Sequence, residues 1–202
     1  MSSSSSPSHD PRAATPADPP PGYPDLGREP VDGVRLLRAP AVPTAVVRAT
    51  GVPMATIAGF FDSAFGKAFP ALFAAGVTPA GPAFARYTNT TQEPEFTADI
   101  EIGFPLARPL ADLHEGEPAE VDGMQVVGSE LPAGDVAVTS HVGAYDGLGE
   151  AWGGLMGAIG AMGRAPGEPF WESYVTEPSP DMDPATLRTD LFCPARTPDD
   201  AA

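Results

Sequence analysis

Gly76-Val77-Thr78-Pro79-Ala80-Gly81-Pro82-Ala83-Phe84-Ala85-Arg86-Tyr87 is echoed downstream by Gly163-Arg164-Ala165-Pro166-Gly167-Glu168-Pro169-Phe170-Trp171-Glu172-Ser173-Tyr174. The glycine, both prolines, an aromatic residue and the closing tyrosine recur at a constant separation of 87 residues. Further on, Ala98-Asp99-Ile100 resembles Thr189-Asp190-Leu191, and each stretch is followed by a proline, Pro105 or Pro194. The period is too long for a solenoid. Two copies predict a domain of two similar halves related by a pseudo-two-fold.

Working outward from the repeat, each half reads as strand, helix, strand, strand. The first strand is β-branched and apolar: Val34 to Val47 in one half, Val126-Val127 and Val136 to Thr139 in the other. In the second helix Tyr145, Leu148, Trp152, Leu155, Ile159 and Met162 form one apolar stripe. Gly147, Gly149, Gly153, Gly154, Gly157 and Gly160 lie in the same segment. Each costs roughly 1 kcal/mol relative to Ala, so packing must hold this helix, and the glycines would let it lie close to a sheet. The matching first-half segment is Ala55 to Ala75, striped by Phe61, Phe65, Phe69 and Leu72 or Phe73. Pro70 removes a backbone donor there, which predicts a kink or a split. Gly76 and Gly163 occupy the position just past each helix. The pairs Ala83 to Thr88 with Phe96 to Phe104, and Phe170 to Thr176 with Leu187 to Cys193, read as strands. Ala98, Ile100 and Ile102 alternate with Asp99 and Glu101, the pattern of a half-buried antiparallel strand. The expected fold is α+β: two β-α-β-β halves around a central ligand groove.

The chain has 202 residues and a formal charge of −16, from 11 Lys plus Arg against 27 Asp plus Glu. That balance argues against direct nucleic-acid binding, whose affinity comes from cations on phosphates, and against adhesion to anionic membranes. One cysteine, Cys193, gives no disulfide framework, and no apolar run reaches a bilayer span of roughly 18–20 residues. The first residues, Met1 and five serines, lack the layout of a secretory signal, so the expectation is a cytoplasmic protein. Residues 1–30 hold eight prolines and few large apolar residues, and are expected to be a disordered tail. The domain is placed at 31–196, with halves at about 31–110 and 120–196, and a short acidic tail at 197–202. The acidic run around Glu115, Glu117, Glu120 and Asp122 reads as a solvated linker between halves. His9, His114 and His141 show no metal spacing with each other or with Cys193. No Gly-rich loop matches a nucleotide fingerprint, so neither metal nor cofactor is expected.

Ser140-His141-Val142-Gly143-Ala144-Tyr145 leading into Trp152 resembles the strand-to-helix junction of GyrI-like proteins. Phe170-Trp171-Glu172-Ser173-Tyr174-Val175-Thr176-Glu177-Pro178 resembles the acidic strand of that family. The resemblance covers roughly residues 31–196. It implies a groove for flat, apolar, often cationic small molecules, anchored by one buried acid matching Glu172. The family's domain is also the effector-binding module of AraC- and MerR-type multidrug regulators. This chain has no recognisable helix-turn-helix, so a regulatory role would need a separate regulator chain. Stand-alone relatives include toxin-protecting proteins and hydrolases of cyclopropane-bearing DNA alkylators.

Three functions follow from the resemblance. One is a stand-alone sponge or sensor for drugs and other xenobiotics. A second is a detoxifying hydrolase in which Glu172 activates water, with the hydroxyls of Tyr174 and Tyr145 bonding the carbonyl that takes up charge. The third is an interaction module that shields a partner such as gyrase. On a strand, Glu172 and Tyr174 share one face while Trp171 and Ser173 share the other. The candidate ligand-binding residues are therefore Glu172, Tyr174, Tyr87, Tyr145, Trp152 and Phe61. Phe60 and Phe65 are read as core. His141, at a strand end, is read as bonding local backbone.

Overall fold

A computed structural model describes residues 26–110, 119–121, 124–179 and 181–197. The strands are β1 (Arg35–Ala39), β2 (Val42–Pro53), β3 (Ala83–Thr91), β4 (Thr97–Pro105) and β5 (Ala119–Val121), then β6 (Met124–Leu131), β7 (Gly134–Val142), β8 (Ala165–Pro166), β9 (Phe170–Tyr174) and β10 (Arg188–Arg196). The helices are α1 (Ile57–Ala74) and α2 (Leu148–Ala161). All pairings are antiparallel, in the order β1-β7-β10-β9-β3-β4-β2-β6-β5, with β8 on the side of β10. This is an α+β fold built on one sheet.

At the middle of the sheet, β3 and β9 pair so that Ala85 faces Glu172, Ala83 faces Tyr174 and Tyr87 faces Phe170. Helix α1 packs over β2 and β4, and α2 over β7 and β10. The central strands β3 and β9 are thus left to floor the space between the helices. The two helices end alike. Gly76 and Gly163 have φ of 76° and 71°, a left-handed conformation that is inexpensive only without a Cβ. The amides of Gly76 and Val77 bond the carbonyls of Phe73 and Leu72, and those of Gly163 and Arg164 bond the carbonyls of Gly160 and Ile159. Each end is a Schellman motif that satisfies carbonyls the helix leaves open.

Several sequence expectations change in three dimensions. The expected first strand, Val34 to Val47, is two strands broken at Pro40-Ala41, because β1 pairs with β7 while β2 pairs with β6. Helix α1 runs unbroken through Pro70. The glycines of α2 do not bring it close to the sheet. A Cβ built at Gly149, Gly153, Gly154, Gly157 or Gly160 meets nothing within 4 Å. Leu155 and Ile159 form the buried stripe, while Met162 is 44% exposed. Part of the acidic linker is strand β5, paired with β6; Glu115, Glu117 and Asp122 lie outside the described residues.

Nor is β4 half-buried, since Glu101 on its other face is only 4% exposed. Arg86 and Arg48 both bond that carboxylate, and Ser129 donates to it at 2.9 Å. Arg188 and Asp190 form the corresponding pair on β9's other side, with two bonds of 2.9 Å. This face also carries Phe84, Trp171 and Phe192, covered by residues of β1, β2, β6 and β7. The packed chain begins ahead of the expected boundary at residue 31. Leu26 packs on this back cluster, and Arg188 bonds the carbonyls of Gly27 and Arg28 at 3.1 and 3.0 Å. Residues 1–25 lie outside the described residues.

Two substitutions test this packing in opposite directions. Gly157→Ala, on the open face of α2, is expected to raise unfolding free energy by about 1 kcal/mol in urea titration. Gly103→Ala is expected to unfold the domain, because its Cβ would lie 1.9 Å from the carbonyl oxygen of Ala45.

Candidate functional site

Strand alternation places Phe170, Glu172 and Tyr174 on the helix side of β9, and Ala83, Ala85 and Tyr87 on the helix side of β3. Glu172 stands near the centre of this floor and is only 3% exposed. The Trp152 indole donates to its Oε1 at 2.7 Å, and the Tyr174 hydroxyl donates to its Oε2 at 2.7 Å. The Tyr87 hydroxyl faces the same carboxylate and favours its charged form. Trp152 is delivered by α2, the tyrosines by two different strands. The carboxylate is therefore approached by donors from three elements.

Aromatic rings close the site. Phe170 stacks on Tyr87 at 4.8 Å and meets the edge of Trp152 at 5.0 Å. Phe65 of α1 stands edge-on to Tyr174 at 5.2 Å, Phe61 to Tyr87 at 6.4 Å, and Tyr145 to Tyr174 at 5.9 Å. Tyr145 is 42% exposed and forms the outer wall. Edge and offset contacts of this kind contribute beyond the area they bury.

All six candidate residues named from sequence, Glu172, Tyr174, Tyr87, Tyr145, Trp152 and Phe61, converge here. Phe65, read as core, also borders the cluster. Phe170 was missed, although it lies two residues before Glu172 and alternation alone assigns it to this face. Thr189 was missed too. It lies opposite Tyr174 and His141 in register, and its buried hydroxyl has no partner among the described residues. His141 bonds the carbonyl oxygen of Ala144 at 2.9 Å, as a strand-end histidine is expected to. A Cβ on Gly147 would sit 2.6 Å from the imidazole, so glycine at the start of α2 is what admits the ring.

Burial raises the pKa of Glu172 above the usual carboxylate value, while the bonds from Trp152, Tyr174 and Tyr87 and the proximity of His141 pull it back. Burial and the neighbouring carboxylate push Tyr174 and Tyr87 well up, so both stay protonated donors. Burial, with Glu172 second, also raises Tyr145. Cys193 lies under α2, where burial pushes its thiol up to about 11. Among the described residues no three metal-ligating side chains converge, and no helix is long and apolar enough to cross a membrane.

A buried acid boxed by aromatics on the floor between two helices defines a small-molecule-binding domain. The chain belongs to the GyrI-like family: the GyrI-like small molecule binding domain matches residues 32–196. The fold is shared with the EcmrR C-terminal domain, at TM-score 0.59 and 20% identity over 81% of this chain and 97% of that one. In the EcmrR–DNA complex the match covers 57% of the EcmrR chain. A hydrolase encoded by lin2189 from Listeria innocua aligns at TM-score 0.56 and 13% identity, over 83% of this chain and 94% of that one. SAV2435 bound to tetraphenylphosphonium aligns at 0.58 and 12%, over 82% and 94%. No curated protein sequence matches significantly.

The raised pKa of Glu172 fixes a sign. The folded state binds this proton more tightly than the unfolded state, so the stabilisation is full below the unfolded pKa, near 4.5, and is lost as pH rises through the folded value. Glu172→Gln is expected to gain stability relative to wild type as pH rises through the folded-state pKa of Glu172. The gap should close as pH falls into the ordinary carboxylate range, measured by urea unfolding across pH.

Proposed function

We propose that this domain binds bulky or planar hydrophobic cations in the space between α1 and α2, with Glu172 as the counter-charge, and so serves as a sensor or sequestering protein for xenobiotics. The observation that carries the reading is the partner set of Glu172. It is buried, it receives bonds from a phenol and an indole with a second phenol, Tyr87, beside it, and no Lys or Arg is among its described partners. Neutral donors leave the charge in place. A cation brought against it recovers the desolvation cost of that charge, and the ring faces add cation–π attraction. The closed rings of Phe65, Tyr174 and Tyr145 must part to admit a ligand of that size. The solved structure of SAV2435 with tetraphenylphosphonium supports the reading at the level of fold.

The duplication belongs to the same proposal. Tyr87 and Tyr174 are separated by 87 residues, as are Gly76 and Gly163. Exchanging the halves at that offset leaves the β3–β9 register unchanged, with Ala85 opposite Glu172 at its centre. On β4 and β10 the corresponding trio becomes Ile100-Glu101-Ile102 with Thr189-Asp190-Leu191, two residues on from the sequence match. A single acid then stands beside the pseudo-axis. Two carboxylates directly opposite would be about 5 Å apart and repel, so alanine at 85 is what leaves room for one central charge and walls from both halves.

Hydrolysis asks more of the same carboxylate. As a base, Glu172 needs a water on one of its oxygens, and each oxygen already accepts one bond, from Trp152 or Tyr174. A counter-ion role asks nothing further of these bonds, whereas catalysis requires an added, correctly placed water beside them, which favours binding over catalysis.

Calorimetric titration with tetraphenylphosphonium and with neutral triphenylphosphine oxide tests the reading. Glu172→Gln should weaken the cation at least roughly 30-fold, because losing a desolvated charge partner costs about 2–5 kcal/mol, and should barely affect the oxide. Cation affinity should also fall as acid protonates Glu172. Equal loss for both ligands would reduce Glu172 to a shaping residue. With excess cyclopropane alkylator, more than one equivalent of ring-opened alcohol, abolished in Glu172→Gln, would move the assignment to a hydrolase.

A further inference from the structure

The far flank of α1 carries a second cleft, away from Glu172. It has a volume of about 380 Å³, at the small end of the roughly 300–1,000 Å³ typical of small-molecule sites. Its floor is Val47 and Ala49 of β2 and Ile102 of β4, and Arg48, which also lines it, is already paired with Glu101 at 2.8 Å. The helix side presents Gly59, Ser63 and Lys67, one column at a spacing of four residues, beside Phe60 and Ala64. Strand β2 pairs with β6 only as far as Val46, so among the described residues its outer edge beyond that point is unpaired. Gly59 widens the opening, since a Cβ there would meet nothing within 4 Å.

Lys67 is the only lysine in the 202-residue chain. Its ammonium makes no hydrogen bond or ion pair among the described residues, whereas Arg38, Arg48, Arg86, Arg164 and Arg188 are all engaged with acids. A surface cation in a chain of net charge −16 has many carboxylates to choose from. This one instead stands at the rim of an apolar cleft, with the Ser63 hydroxyl one turn away. An ammonium is a mobile point charge on a flexible stem, suited to the head of an anion whose apolar body lies on Val47, Phe60 and Ile102.

We propose that this cleft is a second ligand site, selective for amphiphilic monoanions such as a medium-chain or aryl carboxylate, with Lys67 as the anion-binding residue. The inference is independent of the function assigned to Glu172, because the two sites lie on opposite flanks of α1 and select opposite charges.

Decanoate and decyltrimethylammonium, alike in chain and opposite in charge, serve as probes for the full chain. Decanoate is expected to bind by calorimetry and to protect Lys67 from acetylation by acetic anhydride, read by peptide mass. Apart from the chain's amino terminus, no other primary amine reports. Decyltrimethylammonium should give no protection. Lys67→Glu should weaken decanoate at least 10-fold, Lys67→Arg should retain most of the affinity, and Gly59→Leu should block the cleft without loss of fold. Glu172→Gln should leave decanoate binding unchanged. Failure of decanoate to bind, equal protection by both probes, or loss of decanoate in Glu172→Gln rather than Lys67→Glu would overturn the proposal.

Discussion

The site depends on one arrangement: a carboxylate kept ionisable in a place that water scarcely reaches. Glu172 alone on that floor would neutralise itself, since a buried acid lowers its cost by holding its proton. Trp152, Tyr174 and Tyr87 oppose this from three different elements. Their own surroundings keep the phenols protonated, so the donors stay donors. Helix α2, the central strand β9 and the neighbouring strand β3 must all be in place before the carboxylate is satisfied. The site is therefore a consequence of the packed domain and not of any one segment.

The opposite face of the same strands shows the other way to bury charge. There Arg86 with Glu101, and Arg188 with Asp190, form ion pairs supplemented by Ser129, Ser140 and main-chain carbonyls. Such pairs seldom add much net stability, but removing one partner leaves a costly lone charge. They knit the rear of the sheet, including the stretch from Leu26, to its centre. The back face of the sheet, on β3, β4 and β10, thus spends its charge on structure, while the helix face at β9 keeps Glu172 without a cationic partner among the described residues. That asymmetry between the two faces of the sheet separates framework from candidate site.

Much of this was legible in the chain itself. The echo between Gly76–Tyr87 and Gly163–Tyr174 located both helix ends and both central strands, because glycine in a left-handed cap and tyrosine at a fixed register are local requirements. The stripe through Leu155 and Ile159 gave the buried face of α2. Alternation placed Glu172 with Tyr174, and would have added Phe170. What was not legible were pairings between distant strands. The break at Pro40-Ala41 arises because β1 and β2 join different partners, and the burial of Glu101 arises because Arg86 and Ser129 arrive from other strands. The helix glycines carried no sign of which way they faced.

The sequence by itself determined the order of elements, the helix caps, and the residue types able to form an aromatic box around one acid, since these follow from local conformation and short-range periodicity. Only the tertiary structure decided that Trp152 and Tyr174 both donate to Glu172, that Ala85 stands opposite it, and that Lys67 faces an open cleft. Those facts depend on strand register and helix placement, which are set by packing between residues far apart in the chain, and no local pattern encodes them.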